Sequence, residues 1–492
     1  MKQILNNIFK GTLSLLSVTV VSCMDLKEVP EGKIAPSNFY KTVEQCQSAL
    51  VGSMGGLLNT WGGYNGSPGW PNGQQPSSLN FAVTSNNDFW SMHFTSISYI
   101  NPVINAIKAG NLNSAPEAGV KDLLGQAYFL RAYNHFWLVQ LYGKIPYITD
   151  ETPDLIANPL TPESREDVAA VYDKIQSDLL LAIENMSSAR TGGQPNAWAA
   201  KAMLAKVYLT RATAPLKQTQ YYADARDMAD DVINNSPYRF TANLSEIFKL
   251  ENVKNNDEFI FGFNTSLDFS GGKGCGPGPD EWGAWGGGQA RPIWADRYPE
   301  QPRKYNYVLT RFPKNLEDSP EEWIWVDYSE STDKVPYQAK RTWPNQSIEV
   351  QLSEVDICPP LPILRFTDML LTYAEAANMA NGGPTQLAVD RLNMVINRAN
   401  ATFESPFPET AIPGTEALAS MSMSKEEFDD KVIAERDYEL CFEFSQYFDV
   451  LRKEKLEEIN QPDISVNYAP YKYLFPIPPQ DAISIGQNPG YE

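Results

Sequence analysis

Histidine is nearly absent from this chain: His93 and His135 are the only two in 492 residues. That scarcity removes the commonest general base and metal ligand, leaving no HExxH run and little from which to assemble a Ser-His-Asp arrangement. Cysteine is also sparse. The five stand at positions 23, 46, 275, 358 and 441, never as a CxxC pair, which argues against a zinc knuckle or a thioredoxin-like redox site. No acidic loop has EF-hand spacing, so the sequence assigns no metal ligand and leaves a part for Ca2+ in holding the ligand open, and no cofactor is expected. GGKGCGPG at 271–278 lacks the GK[ST] ending of a phosphate loop and reads as a flexible ligand loop. Positive charge is short as well: 40 Lys and Arg stand against 60 Asp and Glu, for a formal charge of −20. Nucleic-acid binding rests on neutralising phosphates, so an acidic chain argues against it, and more mildly against polyanionic ligands.

Past the first two dozen residues there is no apolar run long enough to span a bilayer, and the run at the N-terminus is itself short. In MKQILNNIFKGTLSLLSVTVVSC, Lys2 and Lys10 precede an apolar stretch from Gly11 to Val21, about half of the ~20 residues of a membrane-spanning helix. This is a secretory leader rather than a transmembrane anchor. Ser22 followed by Cys23 resembles the lipobox of bacterial lipoproteins, in which the cysteine is lipidated and becomes the first mature residue. Residues 1–22 then read as the leader, 23–36 as a polar, Pro-containing tether and 37–492 as one domain. Several acyl chains on one residue anchor stably where a single chain does not. Losing Lys2 and Lys10 with the leader takes the charge from −20 to −22. The remaining four cysteines allow one or two disulfides in an oxidising compartment, with connectivity that spacing does not reveal.

What the chain has in quantity is helical periodicity. From Thr161, TPESREDVAAVYDKIQSDLLLAIENM predicts a helix with Thr161 as N-cap, Pro162 in the first turn and Val168, Val171, Ile175, Leu179 and Ile183 along one face. Leu123 to Gly143 places Phe129, Tyr133, Phe136 and Val139 at helical spacing and stops at Gly143, with Pro146 beyond. AWAAKAMLAKVYLTRA follows from Ala197, where Ala202 and Ala205 admit a close neighbour. ILRFTDMLLTYAEAANMANGG and a segment opening at Ser424, with Glu427 completing a capping box, predict two more long helices. Paired helices that alternate small with aromatic residues suggest tetratricopeptide-like hairpins, though they meet that repeat's consensus only loosely. Two stretches, about 61–92 and 262–358, lack periodicity yet are rich in Trp and Tyr; loops of that length are functional or disordered, and aromatic content argues against disorder.

LGQAYFLRAYNHFWLVQLYGKIPYI resembles the signature helix of the SusD/RagB family of outer-membrane lipoproteins, an "A-x-FLRAYYYF-x-L" helix followed by "G-x-(I/V)P". LPILRFTDMLLTYAEAANMANGG, RLNMVINRAN, IAERDYELCFEFSQYFDVLRK and YLFPIPPQDAISIGQNPGY follow in the family's order, so the resemblance spans essentially the whole mature chain. It implies an all-α fold of about four tetratricopeptide-like helix pairs with a loop-rich, irregular ligand-binding subdomain. It further implies a non-enzymatic, cell-surface lipoprotein that captures oligosaccharide or polysaccharide for a TonB-dependent, SusC-like transporter. Two blocks depart from the pattern. Gln301, Pro302 and Arg303 stand where members often read DPR, and FEFSQYFDVLRK replaces the commoner FEGHRWFDLRR, a change that bears on local packing.

The aromatic loops suit such a ligand. An indole presents a flat electron-rich face to the C–H face of a pyranose and buries apolar area at little entropy cost. Trp61, Tyr64, Trp70, Trp282, Trp285, Trp323 and Trp325 are the candidate stacking residues, and Asn87, Asp88, Asp280 and Arg291, with Asn65 and Glu281, are candidate hydrogen-bonding partners. Each has a plain structural alternative, pinning its own loop to the scaffold. Trp90 and Trp294 lean that way because they adjoin core-like sequence, whereas Trp282 and Trp285, between GPGPDE and GGGQ, lean toward ligand. Glu435, Glu439 and Glu443, four residues apart, resemble a hydrolase's carboxylate pair. The better reading makes them scaffold residues paired with Arg436, Arg452 or Arg365. Rival functions are a RagB-like peptide receptor, a protein-binding scaffold and a glycosidase.

Overall fold

The computed structural model describes residues 39–63, 87–190, 194–249, 256–263, 289–313, 322, 324–340, 361–405, 407–443, 445–460 and 468–491. Six helices follow in chain order, each packed against the next: α1 (Val43–Gly63), α2 (Asn87–Lys108), α3 (Glu117–Tyr142), α4 (Val168–Asn185), α5 (Ala197–Ala212) and α6 (Tyr221–Asn235). The chain then makes an excursion containing the short helices α7 (Pro292–Arg297) and α8 (Pro302–Tyr307). It returns as α9 (Phe366–Asn381), which packs on α6 and carries the array forward to α10 (Gln386–Asn400) and α11 (Lys425–Glu439). The C-terminal part adds α12 (Ser445–Arg452), α13 (Leu456–Asn460) and α14 (Pro479–Ile485). The expected all-α scaffold is present, and no helix among the described residues is long and apolar enough to cross a membrane.

Helix α3 lies inside the array. From Leu123 to Tyr142 every residue except Leu124 and Gln140 is buried, so the predicted apolar stripe is only part of its contact surface. Its polar residues are buried because they are paired. Arg131 reaches Asp178 through Nε and Nη2 at 2.7 and 2.8 Å and Asp150 through Nη1 at 2.7 Å. Between α3 and α4 the approach is so close that a Cβ on Gly125 would lie 2.5 Å from Met186 Cγ. Gly143 ends the helix at φ 70°, in the left-handed region glycine tolerates, as its position predicted.

Helix α4 begins later than the sequence suggested. Thr161 and Ser164 complete a capping box around a single 3-10 turn, Pro162–Ser164, and α4 starts only at Val168. The residues between are used elsewhere. Arg165 Nε donates to Lys144 O at 2.9 Å and its guanidinium reaches Asn488, while Glu166 pairs with Ile145 in a β-bridge. Val171, Ile175 and Leu179 are buried as expected, joined by Tyr172 and Ala182, with Val168 and Ile183 at the half-buried margin.

Among the described residues, six short strands lie within or at the ends of the excursion: β1 (Phe259–Phe263), β2 (Val308–Leu309), β3 (Arg311–Pro313), β4 (Trp325–Asp327), β5 (Tyr337–Gln338) and β6 (Leu361–Arg365). They form three antiparallel pairs, β1–β6, β2–β5 and β3–β4. Pairing Phe259 with Arg365 and Phe263 with Leu361 ties the start of the excursion to its end, beside α5. Two expectations change accordingly. The helix expected to include Ile363–Arg365 starts at Phe366, because those three residues extend to pair with β1. The region 262–358, read as irregular, contains two helices and four strands among its described residues. Ser424 and Glu427 cap α11 as predicted. Cys46 and Cys441 are free and buried, and Cys275 and Cys358 lie outside the described residues.

Candidate functional site

The excursion packs through two apolar clusters, the first of which includes Tyr438 of α11 and Cys441 and Phe442 just beyond it. Ile247, Phe248, Trp294, Tyr298, Tyr307 and Phe442 belong to the first; Leu309, Tyr337, Ala339 and Phe407, with Tyr305, Trp325 and Tyr328 at the edge, form the second. Trp294 is 1 % exposed, and its Nε1–H donates to Asp437 Oδ2 at 3.0 Å. It anchors α7, consistent with the reading that set it apart from the ligand candidates. Trp90 is also buried, 4.7 Å from Phe94 and 4.9 Å from Tyr142.

Beneath these clusters lies a buried ionic network. Arg303 on α8 donates through Nη1 to Glu435 at 2.5 Å and Glu439 at 2.7 Å. Arg365, closing β6, donates to Glu439 at 2.8 Å, Glu443 at 2.7 Å and Glu258 at 3.1 Å. Arg398 on α10 reaches Glu439 at 2.9 Å and also Glu258, and Lys340 binds Glu443 and the Glu439 carbonyl. Burial alone would raise the Glu439 carboxyl, but Arg398, Arg365 and Arg303 hold it well below the usual range. Glu435, served by Arg303 and close to Glu416, is pushed by burial up to about 7. The carboxylates Glu435, Glu439 and Glu443 are thus enclosed structural groups out of reach of a glycosidic bond. Of the cations expected to pair with them, Arg365 alone does. Arg436 pairs with Asp368 and Asp449, both at 2.8 Å, and Arg452 with Glu375 and Asp449. Sequence order hid the actual partners, which come from four separate segments. Gln301, in the family's Asp position, orients its carboxamide between Arg303 at 3.0 Å and Glu416 at 3.1 Å, keeping the departure inside the same network.

Few of the predicted ligand residues are among the described ones. Tyr64, Asn65, Trp70, Asp280, Glu281, Trp282, Trp285 and Trp323 lie outside the described residues, as does Cys23. The aromatic stretch read as starting at Trp61 and ending at Trp90 is narrower: α1 continues through Gly63, so Trp61 is in its last turn, and α2 opens with Asn87 and Asp88. Arg291 is partly buried and immediately precedes Pro292, the first residue of α7. Trp325 lies on β4 opposite Pro313, partly buried and edge-on to Phe407 at 6.0 Å, so it is at least in part an anchor. Next to it, Ile324 is 60 % exposed.

Residues 58–209 match a family model described as starch-binding and associating with the outer membrane, and residues 247–491 match the model of the SusD family. The chain belongs to the SusD family. It is 26 % identical to SusD-like protein P2 of Formosa agariphila, over 98 % of this chain and 99 % of that protein. Its fold is similar to that of a SusD superfamily protein from Parabacteroides distasonis, with TM-score 0.70 and 22 % identity over 93 % of this chain and 100 % of the other. It is also similar in fold to surface glycan-binding protein A of Bacteroides thetaiotaomicron, with TM-score 0.66 and 17 % identity over 92 % and 100 %.

In this SusD-family chain the described surface holds a cleft of about 560 Å³ between the turn at 242–249, Asn306 of α8, Arg398 of α10 and the segment 401–405. Both histidines lie far from solvent. Burial drives His93 down to about 4 and His135 to about 3, and His135 stacks 3.8 Å from Tyr147. Each is therefore neutral when folded and takes up a proton on unfolding below about pH 6.5, so its contribution is present above that pH and lost as pH falls. Asp368, Glu375 and Glu439, held low by their cations despite burial, act in the same direction below about pH 4.5. Glu435 and Asp437, raised by burial to about 7 and about 6, oppose the histidines over most of that range. Thermal midpoints measured from pH 7 to 3 are therefore expected to change little down to about pH 4.5 and to fall steeply below it; a midpoint unchanged down to pH 3 would contradict the pairing of Asp368, Glu375 and Glu439.

Proposed function

We propose that this SusD-family protein is a lipid-anchored, cell-surface receptor that captures a neutral oligosaccharide or polysaccharide and passes it to a TonB-dependent, SusC-like outer-membrane transporter. Family membership across both halves of the chain carries the reading, since one of the two matching models is described as starch-binding and associating with the outer membrane. A fold neighbour bearing the name of a surface glycan-binding protein is in accord with it. Cys23 is the residue through which the anchor would attach, and the charge of −20 suits an uncharged glycan better than a polyanion. Two indole faces in the Gly- and Pro-rich stretch at 277–288, Trp282 and Trp285, supply sugar-stacking groups, with orientation set by neighbouring polar side chains. A membrane-held receptor meeting a polymer gains avidity beyond any single contact.

The test is native affinity electrophoresis of the soluble chain, beginning after Cys23, in gels containing plant, host or microbial polysaccharides. Retardation by at least one neutral polysaccharide, without release of reducing ends on prolonged incubation, is the expected outcome. Retardation by none of them, with binding to peptides instead, would overturn the glycan reading. Release of sugar from the bound polymer would establish a hydrolase.

A further inference from the structure

We propose that the corner of the molecule carrying Ile156 and Ile483 is the surface that docks onto the outer-membrane transporter, seated in an apolar socket rimmed by Lys or Arg on that partner. The partner's identity rests on the receptor reading above; the surface itself is read from the described residues. Among them, Ile156 at 92 % and Ile483 at 88 % exposed are the large apolar side chains most open to solvent. They stand on segments that meet. Ile156 belongs to the loop leading into the turn at Pro162–Ser164, and Ile483 belongs to α14, which packs against that same turn. Arg165 fastens the corner: its guanidinium reaches the Gly486 carbonyl at 3.3 Å and the Asn488 side chain, while its Nε holds the Lys144 carbonyl at 2.9 Å.

A lone exposed isoleucine is ordinary on a protein surface, but an apolar run presented on a rigid turn is not. Leu155, Ile156 and Ala157 are exposed in succession. The Asp154 carboxylate accepts the Ile156 N–H at 3.0 Å and the Asp154 carbonyl accepts the Asn158 N–H at 2.8 Å, so the tip is ordered before it meets a partner and association costs less entropy.

Chemistry selects the occupant. Branched aliphatic side chains lack both the flat face and the hydrogen-bonding groups with which sugars are held, so the corner is no glycan platform. Asp154 and Glu163 flank the tip, exposed and without a cationic partner among the described residues, and the Glu151 side chain is 84 % exposed. The neighbouring Lys144 and Lys174 are already paired with Asp167 and Glu166. Surplus acid is repelled by an anionic lipid surface. A two-fold contact with a second copy would set the same acids against one another. An apolar socket with a basic rim satisfies both the tip and its flanks, an apolar centre within a polar rim being the usual anatomy of a protein interface. The corner also lies toward the anchored end of the chain. Tyr40, near the first described residue, is close to Tyr99 of α2; further along α2, Asn101 donates to the Ile148 carbonyl at 3.3 Å and Lys108 to Asp150 at 2.6 Å, just before the tip. An anchor at Cys23 would hold this corner near a membrane-embedded partner and raise its effective concentration there.

The test uses the full chain in the outer membrane of its own cells, with photo-crosslinking benzoylphenylalanine in place of Ile156 or, as a control, of Met421, 49 % exposed on the segment before α11. Irradiation is expected to join position 156, and not 421, to a TonB-dependent transporter identified by mass spectrometry. Ile156→Asp/Ile483→Asp should lower the transporter that co-purifies in mild detergent about tenfold or more, the loss expected when interface anchors are removed. The same variant of the soluble chain should keep its urea midpoint and its retardation by polysaccharide. Crosslinks from 156 only to lipid, to a second copy or to another protein overturn the proposal, as do equal crosslinks from both positions or undiminished co-purification of the double variant. A double variant that folds but loses polysaccharide retardation overturns it too, because the corner would then belong to the sugar site. Wild type that neither crosslinks to nor co-purifies with a transporter sinks the proposal together with the delivery part of the receptor reading. If position 156 finds the transporter while no polysaccharide retards the protein, the docking surface stands and the glycan reading fails.

Discussion

Glu439→Ala is expected to destabilise the protein by roughly 3–5 kcal/mol, the cost of removing one partner from a buried charge cluster, and so to leave a chain that is largely unfolded or degraded. Glu439 is wholly buried and accepts hydrogen bonds from Arg303 at 2.7 Å, Arg365 at 2.8 Å, Arg398 at 2.9 Å and Tyr307 at 3.3 Å. Those four residues stand on α8, β6 and α10, so one carboxylate joins the excursion to the helical array. Its removal leaves three guanidinium groups facing one another, with Glu258, Glu416, Glu435 and Glu443 as their remaining counter-charges. Glu435→Gln should cost much less, because burial already pushes that carboxyl up to about 7 and its neutral form is tolerated near physiological pH. Urea unfolding of the two variants side by side is the check. Midpoints for Glu439→Ala and Glu435→Gln that agree within error would show that the network does not carry the assembly.

The same network shows where reading the sequence reached its limit. Glu435, Glu439 and Glu443 are legible as a four-residue repeat, and their structural rather than catalytic role is legible from the scarcity of histidine and from the family blocks. Their partners are not, since Arg303, Lys340, Arg365 and Arg398 approach from far along the chain, and nothing local marks an arginine as buried. Local signals fared better: the capping box at Ser424 and Glu427 and the stop at Gly143 involve only residues within one turn. At Thr161 the local signal was real but ended locally. Ser164 closed the box on a 3-10 turn, and the distant contacts of Arg165 with Lys144 and Asn488 decided the rest.

Tryptophans a few residues apart should give opposite results when removed. Trp294→Ala deletes a fully buried indole that packs 5.1 Å from Tyr298 and donates to Asp437, so it combines a large cavity with the loss of a buried donor; about 3–5 kcal/mol of stability should go with it. Burial already raises the Asp437 carboxyl to about 6, and with the indole N–H gone Arg297 at 3.3 Å and the Gln446 side chain remain to stabilise its charge. Trp282→Ala/Trp285→Ala, in contrast, should leave the urea midpoint where it was and weaken glycan retardation about 100-fold. Each stacked ring contributes on the order of 1.5 kcal/mol from its π-face together with the area it covers, and 1.4 kcal/mol is a factor of ten. The Gly- and Pro-rich setting of that pair is the sequence reason for expecting the split: Trp294 follows Pro292 into a helix that delivers it to the core, whereas GPGPDEWGAWGGG provides no periodic partner against which to pack. A double variant that melts early yet still binds glycan would reverse the assignment and make Trp282 and Trp285 anchors. One that folds and no longer binds would locate recognition in that short stretch and separate it from the framework that Trp294 holds.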